Sequence, residues 1–149
     1  MNLAEQKTPT SAQASEELPA RLRLAIVRTA RRLRQEAGGE LGPATSAALA
    51  TIERHGPLSP SELADREGLK RPTVTRILGH LEKDALVTRV RDPEDGRSSI
   101  LSISADGRAL LRKLRARKNA YLAQQMGELD TDDARALERA VELLEGMLE

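Results

Sequence analysis

Residues 59–68, Ser-Pro-Ser-Glu-Leu-Ala-Asp-Arg-Glu-Gly, carry both ends of one short helix, and they constrain this chain more than any other stretch. Ser59 can cap, Pro60 suits the first helical position, and Glu62 stands three residues after Ser59 to close a capping box. Gly68 ends the helix in a backbone conformation that other residues adopt at a cost. A second helix follows at once over Leu69–Leu81. Arg71 reads as its cap, Pro72 as its first turn, and Val74, Ile77, Leu78 and Leu81 as its buried stripe. Two short helices joined by a turn of about four residues form a helix-turn-helix unit, whose second helix enters the DNA major groove. The exposed positions of that helix are Lys70, Arg71, Thr73, Thr75, Arg76 and His80, all able to reach phosphates or base edges.

Leu86–Arg91 then reads as a strand, Asp92–Arg97 as a turn with Asp95-Gly96 as its hairpin signal, and Ser98–Ser104 as the return strand. A helix-turn-helix followed by a hairpin is a winged helix. Residues 58–107 resemble the MarR family of bacterial transcriptional regulators. The resemblance is carried by Leu63-Ala64, Thr73-Val74-Thr75-Arg76, Leu81-Glu82, Leu86-Val87, Arg89, Pro93, Asp95, Arg97, Leu101, Ile103 and Gly107. One position departs. The family has Gly before the Leu-Val that opens the wing, and this chain has Ala85. Alanine at a left-handed helix end costs about 1 kcal/mol, so a helix end of different build is expected.

The resemblance implies a fold that is mainly α with a small β-hairpin wing (α+β), and a two-fold dimer in which N- and C-terminal helices interlock. A two-fold protein asks for a palindromic site on double-stranded DNA, its half-sites about one helical turn apart. The resemblance also implies a repressor, with a small aromatic or anionic molecule as candidate effector. The pocket positions are not part of the matched motif. Arg97 is expected to reach the minor groove, where narrow A·T-rich DNA attracts cations. Asp95 would orient a neighbour such as Arg91; the alternative is that Asp95 and Arg97 only close the hairpin. Arg89 and Arg91 complete the basic wing. Arg76 suits either a guanine edge or a phosphate, and Lys70, Arg71 and His80 suit phosphates.

At 149 residues the chain is one domain with helical extensions. Residues 1–15 are polar, carry Pro9 and read as a disordered tail. Residues 16–57 supply N-terminal helices, 58–104 the winged helix-turn-helix, and 105–149 C-terminal helices. A helix from about Glu16 places Leu18, Leu22, Ala25, Ile26, Thr29 and Leu33 on one stripe, with Arg21, Arg23, Arg28, Arg31, Arg32 and Arg34 elsewhere. That arginine run reads as a solvated face in preference to a nucleic-acid patch. Gly38-Gly39 breaks the helix, and Pro43–His55 forms the next, closed by Gly56-Pro57. Leu58 suits a short third strand beside the wing.

Ser104 caps a long helix over Ala105–Gly127 that is basic between Arg108 and Lys118, and Asp130 or Thr131 caps an acidic last helix. There Ala134, Leu137, Val141, Leu144 and Leu148 form a packing seam. Charge complementarity between the two helices is expected, within one chain or across a dimer. Tyr121 is the only aromatic residue, so any pocket is aliphatic with arginines at most. No cysteine is present, which excludes disulfides, thiolate metal sites and thiol switches. No apolar run spans a bilayer and no secretory signal is seen, so a cytoplasmic protein is expected. His55 and His80 stand apart, and no phosphate loop or catalytic triad is visible, so neither cofactor, metal nor enzyme activity is expected. The competing function is a winged helix that binds another protein; the cations on its second helix and wing favour DNA.

Overall fold

The computed structural model describes residues 11–148. Its elements run α1 (Ser11–Glu36), α2 (Pro43–His55), α3 (Pro60–Glu67), α4 (Arg71–Lys83), β1 (Val87–Arg91), β2 (Ser99–Ile103), α5 (Ala105–Met126) and α6 (Thr131–Gly146). The expected tail over 1–15 is corrected in part. Helix α1 begins at Ser11, because Ala and Gln favour a helical backbone even where nothing apolar asks for burial. Residues 1–10 lie outside the described residues.

Helix α2 sits at the centre and packs on α3, α4, α5 and β2. The core it organises is aliphatic: Leu49, Ile52, Leu63, Leu78, Leu81 and Leu101 are the largest fully buried side chains. Every member of the expected α4 stripe, Val74, Ile77, Leu78 and Leu81, is buried. The α3 capping box is formed in both directions: the Glu62 N–H donates to Ser59 Oγ at 3.2 Å and the Ser59 N–H to Glu62 Oε2 at 2.7 Å. Gly68 adopts the left-handed conformation, φ 63°.

Helix α4 starts and ends two residues later than expected, running Arg71–Lys83 in place of Leu69–Leu81. Lys70 is its cap residue and Arg71 its first helical residue, because the Lys70 carbonyl already accepts from the Val74 N–H at 3.1 Å. Pro72, in the second helical position, loses nothing by lacking an N–H, since that donor would have no partner inside the helix. Leu69 belongs to the turn and donates its N–H to Ala64 O at 2.9 Å.

The end of α4 corrects the expectation of a different build. Ala85 stands at φ 55°. The Leu86 N–H donates to Leu81 O at 2.8 Å and the Ala85 N–H to Glu82 O at 3.0 Å, the paired bonds of a Schellman motif. The buried side chains of Leu81 and Leu86 join the same core cluster. The chain therefore keeps the glycine-type turn and carries its strain on an alanine. Ala85→Gly is expected to raise unfolding stability by about 1 kcal/mol. The denaturant midpoint at fixed protein concentration tests this, and an unchanged or lower midpoint counts against the strain.

The hairpin pairs antiparallel, Val87 with Ile103 and Arg91 with Ser99. Strand β1 starts at Val87 and not Leu86, because the Leu86 N–H is committed to α4. Strand β2 ends at Ile103, because Ser104 caps α5 through Gly107 N–H at 2.9 Å. Leu58 bridges Leu101 in both directions, 3.1 and 2.8 Å, and supplies the short third strand.

Helix α6 is capped by Asp130, which accepts from the N–H groups of Asp132 and Asp133. It buries no side chain in the single chain. The expected pairing of basic α5 with acidic α6 inside one chain is not formed among the described residues. The α5 cations turn the other way, Lys113 and Arg117 to Glu40 and Arg115 to Glu53. The α6 carboxylates Asp132 and Glu142 pair instead with Arg135 and Arg139 of their own helix.

Candidate nucleic-acid interface

Helix α4 presents its polar positions to solvent because the 3.6-residue repeat turns Val74, Ile77, Leu78 and Leu81 inward. Lys70, Arg71, Thr75, Arg76 and His80 are exposed and Thr73 is half-buried. Among the described residues, Lys70, Arg71 and Arg76 take part in no ion pair, so their charge is free for a partner. The Thr75 hydroxyl donates to Arg71 O at 3.0 Å. Its proton is spent inside the helix, which leaves the methyl group and the oxygen's acceptor lone pairs for a partner.

The wing is a loop of several residues and not a two-residue turn. The Asp92 N–H donates to Ser98 O at 3.1 Å and the Ser98 N–H to Asp95 O at 2.9 Å. Asp92 Oδ1 accepts from the Glu94 N–H at 2.9 Å, and Asp95 Oδ1 from the Arg97 N–H at 3.0 Å. Asp95 therefore fixes the backbone that carries Arg97, and the Arg91 side chain donates no hydrogen bond to it among the described residues. Arg91 and Arg97 are exposed and form no ion pair among the described residues.

Arg89 behaves differently. Its Nε donates to Glu82 Oε1 on the last turn of α4, and its other guanidinium nitrogen donates to Ser99 Oγ at 3.3 Å. Sequence reasoning grouped Arg89 with the other wing cations and gave Glu82 and Ser99 no role at the site. A signal was available: a carboxylate in the last turn of a helix opposes the helix dipole, so Glu82 calls for a nearby cation.

A cavity of about 390 Å³ lies between α1, the α1–α2 loop, α2 and α5. Its wall is aliphatic, with Leu33, Leu41, Ala47 and Leu114, and Arg34 and Lys118 supply charge. At its edge, hydrogen bonds from Lys113 and Arg117 hold the Glu40 carboxyl below the usual glutamate range. Arg117 also donates to Ala37 O at 2.9 Å, tying the double-glycine loop to α5. The α1 arginines Arg21, Arg23, Arg28, Arg31, Arg32 and Arg34 are exposed. Arg32 pairs with Glu36 and lies over the Tyr121 ring, 5.3 Å from its centre.

Helix-turn-helix, hairpin wing and exposed cations on both define a winged helix-turn-helix protein. The chain belongs to the MarR family, whose family model matches residues 43–99. A helix-turn-helix transcriptional regulator of Mycobacterium tuberculosis is 30% identical over 124 residues, 83% of this chain and 87% of that protein. A transcriptional regulator from Pseudomonas aeruginosa is similar in structure, with TM-score 0.82 and 31% identity over 95% of this chain and 99% of that one. A mutant of MepR from S. aureus, solved bound to an oligodeoxyribonucleotide, shares the fold with TM-score 0.70 at 16% identity, over 89% and 98% of the two chains. The protein is thus a helix-turn-helix transcriptional regulator.

Proposed function

We propose that this regulator acts as a cytoplasmic dimeric repressor on a palindromic operator, with α4 in the major groove and the wing against the minor groove. The observation that carries the reading is the set of cations without an ion pair among the described residues: Lys70 at the cap of α4, Arg71 and Arg76 on α4, and Arg91 and Arg97 on the wing. A winged helix that only bound protein would have no need of them. The dimer has its support in apolar side chains left outside the fold: Ile26 and Val27 of α1 are 48% and 54% exposed, and Val141 and Leu143 of α6 are 45% and 54%. Stripes of that kind on helices at both ends of one chain are covered by a second copy. No helix among the described residues is long and apolar enough to cross a membrane.

The cavity beside α1, α2 and α5 is within the usual size range of small-ligand pockets. Arg34 and Lys118 suit a small aromatic anion there, and the ligand shifts the protein off DNA only by binding one dimer geometry better than the other.

The experiment is selection of genomic fragments by the purified protein, followed by fluorescence anisotropy on the recovered duplex across a salt series. Sequence-dependent binding whose log affinity falls by about 0.9 per neutralised phosphate for each tenfold rise in salt is expected. Sedimentation should give a dimer. An empty selection rejects the DNA reading, and a monomer at micromolar concentration rejects the dimer.

A further inference from the structure

We propose that Arg89, with Glu82 and Ser99, is a clamp that sets the angle of the wing against the recognition helix, and that Arg89 is a positioning residue and not a phosphate contact. The proposal rests on DNA binding through α4 and the wing. Three elements meet at Arg89: Glu82 from the last turn of α4, Arg89 from β1 and Ser99 from β2. The register fixes which way the arginine faces. Arg89 is opposite Leu101, and Val87 opposite Ile103, so side-chain alternation puts Arg89 on the hairpin face that carries the buried Val87, Leu101 and Ile103. Ser99, diagonal to Arg89 on that face, reaches the second guanidinium nitrogen.

The link from α4 to β1 is short. Asp84, Ala85 and Leu86 connect them, and the Leu86 N–H is already held by Leu81 O. The base of the hairpin is anchored by the Leu58–Leu101 bridge and by Ser104, whose hydroxyl donates to Ala85 O at 2.7 Å; beyond that base, the Glu82–Arg89 contact adds a side-chain restraint on tilt toward or away from α4. Both partners are about one-third exposed, 34% and 37%. An ion pair so open to water adds little to global stability, but it costs little to be specific about direction. The arrangement also accounts for an acid beside a DNA-facing helix. The negative charge of Glu82 opposes both the helix dipole and the phosphates, and Arg89 compensates it in place.

Charge counting and the clamp predict opposite outcomes, which makes the test decisive. The wild type is first shown to bind its selected duplex; failure there rejects the DNA reading and the clamp together. Glu82→Ala removes a negative charge near DNA, so charge alone predicts tighter binding. The clamp predicts weaker binding, by about five- to tenfold, for Glu82→Ala and Arg89→Ala alike, and little further loss in the double variant. The salt slope should stay at its wild-type value. The exchanged pair Glu82→Arg with Arg89→Glu should recover most of the affinity. A fold control comes from the thermal midpoint, which should move little in all variants. The proposal is overturned if Glu82→Ala binds as tightly as wild type or tighter. It is equally overturned if Arg89→Ala lowers the salt slope by about 0.9, the mark of one lost phosphate contact, or if the exchanged pair binds worse than either single variant.

Discussion

Arg97→Ala is expected to weaken operator binding by about 1–3 kcal/mol, with the fold unchanged. The loop that carries Arg97 is built to present it. Asp92 and Asp95 of the same loop each spend an oxygen on a backbone N–H group of the loop itself. The guanidinium forms no ion pair among the described residues, and the side chain is exposed. Nothing in the fold depends on it, so removing it leaves the thermal midpoint in place while affinity falls. The salt series separates two modes of contact. A pure phosphate contact costs affinity about equally on every duplex and lowers the slope by about 0.9. A minor-groove contact costs most on duplexes with a narrow A·T-rich groove beneath the wing, and much less on G·C-rich ones. The second pattern is the expected one. Equal binding by wild type and variant at every salt concentration would remove the wing from the interface.

The sequence was most legible where local chemistry and packing agree. Ser59, Glu62 and Gly68 each satisfy backbone groups within a few residues, so the ends of α3 could be read directly. The α4 stripe could be read because four buried side chains recur at helical spacing. The start of α4 was misread because a proline has two acceptable places in a first turn, and only the Lys70 carbonyl decides between them. Ala85 was misread for a different reason. Its penalty is real, but it is local and small beside the two backbone bonds and the Leu81–Leu86 burial that hold the turn. The partners of the α5 cations were hidden because Glu40 and Glu53 lie more than sixty residues away in sequence. Adjacency in sequence suggested α6, and tertiary placement chose α1–α2. In the candidate interface the residue types were readable, but which arginine was free and which was tied was not, since Arg89 and Arg91 differ by two residues and have different surroundings.

Gly107→Ala is expected to destabilise the protein by about 3 kcal/mol, the upper end for forcing one extra carbon into a packed site. A Cβ at Gly107 would stand 2.2 Å from Leu86 O and 2.8 Å from Ile103 Cγ1. The Ile103 side chain could yield, but the Leu86 carbonyl cannot yield alone. That carbonyl accepts from the Ser104 N–H at 3.0 Å, and the Leu86 N–H closes the end of α4 on Leu81. Moving Leu86 therefore disturbs the end of the recognition helix, the first residue of the wing and the cap of α5 together. The glycine is needed for closeness and not for backbone freedom, because its φ lies outside the left-handed region. Gly79 provides the contrast. It lies inside α4, exposed, and a Cβ there would meet nothing within 4 Å. The same chemical change, Gly79→Ala, should stabilise by about 0.4–1 kcal/mol. Thermal unfolding at one protein concentration, needed because a dimer's midpoint depends on concentration, should thus move in opposite directions. Gly107→Ala should lower the midpoint by on the order of 10 °C, and Gly79→Ala should raise it slightly. If both substitutions raise the midpoint, the junction of α4, wing and α5 is looser than this close approach requires. The wing would then lack the rigid base that the proposed contact of Arg97 with DNA requires.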